Sequence, residues 1–327
     1  MDRVAPHLIA RFVADLAAVW PDDGQRGGRL GIAVSGGADS LALLALAHAA
    51  LPGGFAVATV DHGLRDGSAA DARLVERACA ARSIACSTLR LALEPGSAVQ
   101  ERARTARYTA LADWALARGL RAIATAHHAD DQAETMAMRL NRGAGVRGLA
   151  GMRARSQVPG APQLPLLRPL LGWRRAELAE AIAATGLVAA NDPSNRDPRF
   201  ERVRIRHGLA ASDWLDPAGL ARSAAHLADA DEAIAWAATR EWAERVEGGP
   251  GDLTWAPQAP RAVRLRVLAR IVVELGTSEP RGAELARWLA ALESGAVATL
   301  AGVRGDGEKV PWRFVTAAPH RHGPAPS

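Results

Sequence analysis

Lysine is almost missing from this chain of 327 residues. Lys309 is the only one, so arginine carries nearly all of the positive charge. Cysteine is scarce as well: Cys79 and Cys86 are the only two, with no second pair. That excludes a disulfide framework, a zinc ribbon and an iron–sulfur site built on four thiolates, and it fits a reducing compartment. No run of about eighteen uncharged apolar residues occurs, so no transmembrane helix is expected. The opening segment MDRVAPHLIARF lacks the charged-then-apolar layout of a secretory signal, and the protein is expected in the cytoplasm. There is no internal repeat, and no Gly-Lys-Ser/Thr of a Walker phosphate loop.

Hydrophobic residues make up 49% of the chain, enough for a substantial core, and the length allows one large domain or two to three small ones. The net charge of +5 is unevenly placed. Residues 141–210 hold twelve arginines against five acidic residues, which leaves the remainder slightly acidic. A basic sector of this kind suits a polyanionic partner, although a solvated surface has the same composition.

The densest information lies in residues 29–44. Leu30–Val34 reads as a buried strand, Ser35–Ser40 (SGGADS) as a glycine turn, and Leu41–Ala50 as a helix. Two glycines let the backbone approach an anion, and the helix start offers unpaired N–H groups to it. Ser35 and Ser40 add hydroxyl donors. Asp39 repels phosphate, so its presence makes most sense with a metal cation between the two. A plain Gly-Gly turn with a Ser/Asp cap is the simpler alternative.

The same alternation continues. Helix Val4–Val19 precedes the loop. Strands are predicted at Phe55–Val60, Ile84–Leu91 and Arg121–Ala126, and helices at Ser68–Arg82 (capped by Ser68), Ser97–Arg118 and Ala129–Leu140. This order implies βαβ units and an α/β fold with a doubly wound parallel sheet. The glycine loop, Asp61-His62 and His127-His128 all fall at predicted strand ends, where ligands bind in such sheets. Beyond the sheet, Gln157–Gln163 reads as a surface loop, Trp173–Thr185 as a helix, Asp192–Asn195 as a turn and Ser212–Glu247 as mostly helix with Trp214, Trp236 and Trp242 as apolar anchors. Gly248–Asp252 reads as a linker, Arg261–Gly276 and Arg281–Leu292 as helices, and Ala296–Val303 with Val310–Val315 as a hairpin. The C-terminal region is therefore mainly helical. Expected divisions are a nucleotide-binding domain (1–152), a basic segment (153–210), a mainly helical region (211–318) and a disordered tail (319–327).

Three further groupings carry chemistry. His127, Asp131 and Glu134 stand at i, i+4 and i+7, one face of a helix start, with Asp130 alongside. Such a set suits a metal or a cationic substrate, and helix capping is the alternative. Glu101, Arg104 and Tyr108 share a helical face. Arg202 and Arg206, four apart, can clamp a phosphate or form a plain basic helix face.

Taken in order, VSGGADS, VDHGLR, ERARTARY, TAHHADDQAET, RGAGVRGLAGM, LLRPLL and DPSNRDPRFERVRIR resemble the tRNA(Ile)-lysidine synthetase family of N-type ATP pyrophosphatases, over roughly residues 31–206. The resemblance implies ATP-dependent ligation of L-lysine to C2 of the wobble cytidine of the CAU anticodon, through an adenylated cytidine, with AMP and pyrophosphate as products. It implies that Ser35, Gly36, Gly37, Ala38, Asp39 and Ser40 hold the ATP phosphates, with Asp61 and His62 bordering the adenosine. Asp39 would bind Mg²⁺ and Asp130 would support the metal or nucleotide. His127, Asp131 and Glu134 would receive lysine, with Asp131 orienting its amine, and Arg202 and Arg206 would sit near the α-phosphate or the tRNA backbone. Val203 departs from the family, which commonly has Asn there, and the chain is short for the family. A tRNA thiolase of the same superfamily is the nearest rival, but Cys79 and Cys86 do not form its cysteine pair. A small-molecule ligase would not require the basic sector. A nucleotide-binding regulator without chemistry would bind ATP and release no pyrophosphate. The sequence leaves the oligomeric state open, a homodimer included.

Overall fold

The computed structural model describes residues 4–20, 29–61, 63, 67–92, 99–183, 185–190, 197–278 and 280–317. It divides into two compact units, Met1–Ala228 and Asp229–Ser327.

The first unit opens with α1 (Pro6–Val19), which has proline in its first turn and buries Leu8, Phe12 and Leu16 at four-residue spacing. Then follow β1 (Leu30–Ala33), α2 (Ala38–Ala50), β2 (Phe55–Asp61), α3 (Ser68–Ala80), β3 (Cys86–Arg90), α4 (Val99–Ala117), β4 (Ala122–Ala124), α5 (Ala129–Asn141) and the short α6 (Val146–Leu149). After these come β5 (Arg155–Val158), β6 (Ala161–Leu167), α7 (Arg175–Ala183), α8 (Glu201–Ala211) and α9 (Pro217–Arg245), within which the division between the units falls. The strands form one sheet in the order β3-β2-β1-β4-β6-β5. All neighbours pair in parallel except β5, which runs antiparallel to β6 at the edge.

Alternate residues of the central strands feed opposite faces, as strand geometry requires. Leu30, Ile32, Phe55 and Val57 pack with Phe12, Leu43 and Trp173. Ala33, Ala56 and Ala58 face Tyr108, Leu111 and Trp114. Helix α2 is buried from Ser40 to Ala47, which explains why it is apolar all round. Gly31 is required in β1 because a Cβ there would come within 2.8 Å of the Trp114 ring.

The second unit contains β7 (Val246–Gly249), β8 (Asp252–Trp255), α10 (Arg261–Leu275), α11 (Gly282–Glu293), β9 (Val297–Leu300), β10 (Val303–Asp306) and β11 (Trp312–Thr316). Its antiparallel sheet, β7-β8-β11-β10-β9, shares a core with α10 and α11 through Trp255, Val267, Ile271, Leu289 and Phe314. Trp255 and Trp312 meet edge to face at 5.6 Å. Among the described residues no helix is long and apolar enough to cross a membrane.

Several sequence expectations are corrected. Gln157–Gln163 is not a surface loop but the turn and flanks of the β5–β6 hairpin, with Gly160 at φ +80° and a register shift at Gln157/Val158 that accommodates the interruption. Gly248–Asp252 is the turn of the β7–β8 hairpin, not a linker. Ala296–Val303 is broken by Ala301 and Gly302, both at positive φ, so two strands stand where one was expected and β10 pairs with both β9 and β11. Ser68 is the first residue of α3, not its cap, and its hydroxyl donates to Asp61. Trp214 and Trp236 are 79% and 64% exposed and anchor nothing. Trp242 does pack on the core of the second unit, because it lies one turn after buried Ala238, whereas Trp236 faces away from that stripe. The expected turn at 192–195 and the tail from 319 lie outside the described residues.

Candidate active site

The sheet order reverses between β1 and β4, so the segments leaving these strands diverge and open a crevice at their carboxyl ends. The glycine loop leaves β1 and the His127-His128 segment leaves β4. In the loop Gly36 takes φ +86°, a left-handed conformation that side chains disfavour. Its carbonyl accepts the Ala190 amide at 2.9 Å, which pins the loop to the segment after α7. Ser40 is buried in the first turn of α2. Its hydroxyl lies 2.8 Å from the Gly37 carbonyl and accepts the Ser35 amide at 3.1 Å, with the Ser35 hydroxyl at 3.2 Å. The loop is thus a closed turn at the N-terminus of α2, with the Ala38 amide in the first helical position.

Facing it is the start of α5. Asp131 accepts the backbone N–H of His128 at 3.1 Å, which caps the helix. Glu134 lies one turn on, almost fully buried. Arg202 donates from Nε to Glu134 at 2.6 Å and from its terminal nitrogen to Asp131 at 2.9 Å. Arg206 reaches Glu134 from Nε at 2.6 Å. The two carboxylates therefore share one helix face, and the two arginines of α8 share the face opposite. His127 lies ahead of the helix, its Nδ1 3.0 Å from the Thr125 hydroxyl.

A PP-loop domain model matches residues 8–212. A tRNA(Ile)-lysidine synthase of Novosphingobium aromaticivorans is 57% identical over 95% of this chain and 94% of its own length. The chain belongs to the tRNA(Ile)-lysidine synthase family. Its relatives of that name in Zymomonas mobilis and Ruegeria pomeroyi are 39% and 42% identical, covering 90% and 86% of this chain and 90% and 70% of their own. Among solved structures, a U34-tRNA thiolase of Methanococcus maripaludis with an iron–sulfur cluster superposes with a TM-score of 0.53 at 14% identity. The overlay covers 67% of this chain and 78% of that one, a likeness of fold alone.

In this lysidine synthase family member two site residues, Arg174 and Arg175, went unnoticed in the sequence, and His128 was placed at its strand end without a role. His128 is fully buried, with Nε2 3.3 Å from Asp39 and 3.5 Å from Asp131, and Nδ1 3.5 Å from Asp130. Arg174 bridges Asp130 and Asp216 at 3.3 and 3.2 Å, and the Arg175 amide donates to Asp130 at 2.9 Å. The Arg175 guanidinium stands 3.7 Å from Glu134. The signal for His128 was its neighbour: two consecutive histidines point in different directions when a strand end becomes a helix cap. Nothing in the sequence flagged Arg174 and Arg175, because Trp173–Thr185 read as an ordinary helix.

Charge follows this geometry. Burial pulls the His128 imidazole down, but hydrogen bonding to Asp130 and Asp39 and the charge of Asp131 outweigh it and push its pKa up to about 9. His127 goes the other way, to about 3, because burial and then the nearby Arg168, Arg107 and Arg202 all disfavour a cation. It is therefore a neutral donor or acceptor. Burial raises Glu134, yet Arg206 and Arg202 more than offset this and hold it below its ordinary 4.5. A depressed carboxylate contributes stability above its unfolded pKa and loses it as pH falls through the folded one. Melting temperature is therefore expected to drop on acidification below about pH 4.5, and Glu134→Gln to flatten that part of the profile. Superimposable acid limbs for the two proteins would contradict the role given to the arginines.

Asp61 closes β2 and accepts Gly63 N–H at 3.2 Å as well as Ser68. His62 lies outside the described residues. Arg104 stacks over buried Tyr108 at 5.1 Å. Val203, between the two site arginines, is buried, so its apolar side chain packs where an amide would need a partner. Among the described residues no group of three or more His, Cys, Asp and Glu side chains forms a metal site. Asp39 does fit a hard cation: about a third of its side chain is exposed at the first turn beside the loop, and Mg²⁺ takes one or two carboxylates plus phosphate oxygens. Asp130 stands across the imidazole from Asp39, with its oxygens facing Arg174 and the Arg175 amide.

Proposed function

We propose that this chain ligates free L-lysine to C2 of the wobble cytidine of the CAU anticodon of tRNA(Ile), at the expense of ATP, giving lysidine, AMP and pyrophosphate. The observation that carries the reading is the meeting, at one switch point, of an anion-accepting glycine loop with a carboxylate pair capped by two arginines. A reaction that activates an oxygen with ATP and then admits an ammonium-bearing nucleophile needs both kinds of group within a few ångströms of each other. The names of the closely related proteins point the same way.

The residues divide as follows. The amides of Gly36, Gly37, Ala38 and Ser40, with the Ser35 hydroxyl, cradle the β- and γ-phosphates, helped by the end of the α2 dipole. Asp61 and His62 border the adenosine. Asp39, with Asp130 behind it, would hold Mg²⁺, which when bound neutralises charge on the leaving pyrophosphate. The cytidine O2 attacks the α-phosphorus, the new O–P bond forming as the bond to pyrophosphate breaks. Arg202 and Arg206 lie ready to donate to the α-phosphate oxygens as charge builds there. His127, Asp131 and Glu134 receive lysine, and Asp131 orients the amine that attacks C2 and expels AMP. When the arginines turn to phosphate, Asp131 and Glu134 regain acceptor oxygens for an ammonium, with His128 and Arg175 still alongside. The second unit is assigned to tRNA binding, and the reaction to the cytoplasm, where tRNA and free lysine meet.

The deciding experiment is ATP-dependent incorporation of labelled lysine into tRNA, with pyrophosphate followed in parallel. Stoichiometric lysine and pyrophosphate establish the reading. Pyrophosphate without lysine assigns the chain to another acceptor or nucleophile within the superfamily.

A further inference from the structure

His128 sits where the loop helix α2 and the carboxylate helix α5 meet. Its ring is fully buried, and both nitrogens face carboxylates: Nε2 lies between Asp39 and Asp131, and Nδ1 lies beside Asp130. Ionised carboxylates only accept, so a ring nitrogen that faces one meets it as a donor. At 3.3–3.5 Å the two nitrogens lie within reach of all three carboxylates. Other cations act on the same cluster: Arg175 and Arg206 on Asp39, and Arg206 on Asp131. Arg174 and the Arg175 amide serve Asp130, Arg202 serves Asp131 and Glu134, and Arg206 serves Glu134.

Asp39 and Asp131 have different tasks in the reading above, one toward ATP and the other toward lysine. The only side chain recorded in contact with both, among the described residues, is His128. Its own position is over-determined: its backbone N–H is held by Asp131, and the next residue, Ala129, donates to the Trp173 carbonyl at 2.8 Å. A ring fixed in this way transmits little positional freedom to the carboxylates it touches.

We propose that His128 is a positioning residue that orients Asp39 toward the phosphate loop and Asp131 toward the amine, so that one imidazole aligns both half-sites. The proposal rests on the assignment of Asp39 to ATP and Asp131 to lysine made under Proposed function. It separates two substitutions of similar size. His128→Gln keeps an N–H near the place of Nε2, between Asp39 and Asp131. His128→Asn keeps one near the place of Nδ1, beside Asp130, and removes the side-chain donor that Asp39 and Asp131 share.

The test measures kcat and the KM values for ATP, lysine and tRNA in the labelled-lysine assay, using full-length protein, with melting temperatures recorded for each variant. His128→Asn is expected to raise KM for both ATP and lysine about tenfold while KM for tRNA stays within about twofold, and His128→Gln to recover most of the loss. Unchanged ATP and lysine KM in His128→Asn overturns the proposal. So does an equal defect in the two variants that follows the fall in melting temperature and spreads to tRNA, because that pattern belongs to a packing role. A wild-type protein that releases pyrophosphate but transfers no lysine overturns the functional reading first, and with it the lysine half of the proposal.

Discussion

Asp39→Ala is expected to reduce pyrophosphate release and lysine incorporation together by about a thousandfold, with tRNA binding unchanged. The size follows from the several kcal/mol that a cation at developing phosphate charge supplies, at about 1.4 kcal/mol per factor of ten. The side chain is well suited to the role and poorly suited to a structural one. It is partly exposed, and its recorded ion pair is the His128 contact at 3.3 Å. Burial alone would raise its pKa, but His128, Arg175 and Arg206 hold it below the usual carboxylate value, so it is ionised throughout the neutral range. The measurement is a steady-state titration with Mg²⁺ and ATP. A variant that recovers wild-type rates at higher Mg²⁺ supports a metal-holding role. One that retains activity at ordinary Mg²⁺ removes Asp39 from the reaction.

Arg206→Ala is expected to lower kcat for pyrophosphate release by about a hundred- to a thousandfold, the usual cost of losing one preorganised donor at a developing negative charge. Arg202→Ala should act similarly. The two differ in a second respect. Arg202 also reaches Asp131, whereas Arg206 serves Glu134 and lies nearer full burial. Arg202→Ala is therefore expected to perturb KM for lysine as well, and Arg206→Ala chiefly kcat. Lysine at position 206 should rescue poorly, because an ammonium cannot reproduce the fork that meets both oxygens of Glu134. Single-turnover measurements of pyrophosphate and of lysine transfer separate the two steps. A normal burst of pyrophosphate in Arg206→Ala would exclude it from the first.

The basic sector shows what a count of charges leaves out. Several of the arginines in residues 141–210 are not free for a polyanion. Arg174, Arg202 and Arg206 neutralise Asp130, Asp131 and Glu134, Arg168 donates to the Arg153 carbonyl and Ser156, and Arg142 pairs with Glu201. The local excess read from composition is in large part the internal charge balance of the site. Even Arg199, with 87% of its side chain exposed, is paired with Asp197 at 2.6 Å.

The alternation of apolar runs and glycine turns is a local property, and from it the sequence by itself determined the α/β class, the order of the first strands and helices, and the glycine loop between β1 and α2. Periodicity and breakers are written into neighbouring residues, which is why the limits of α1, α2, β2 and α5 could be read to within a few positions. The elements misread were those whose identity depends on distant partners. The strand β6, with Pro162 and Pro165, exists because β4 and β5 flank it, and β7 and β8 pair only because the second unit's sheet is there to receive them. Trp214 could not be told from a core residue, since exposure is decided by what packs on a helix corner, not by the residue itself. In the same way the sequence showed His127, Asp131 and Glu134 as a set. Only the tertiary structure brought Arg202 and Arg206 onto the carboxylates from some seventy positions away, and turned His128 rather than His127 toward Asp39. Contacts between charges so far apart in the chain depend on how helices dock, and docking is set by the whole core, not by local spacing.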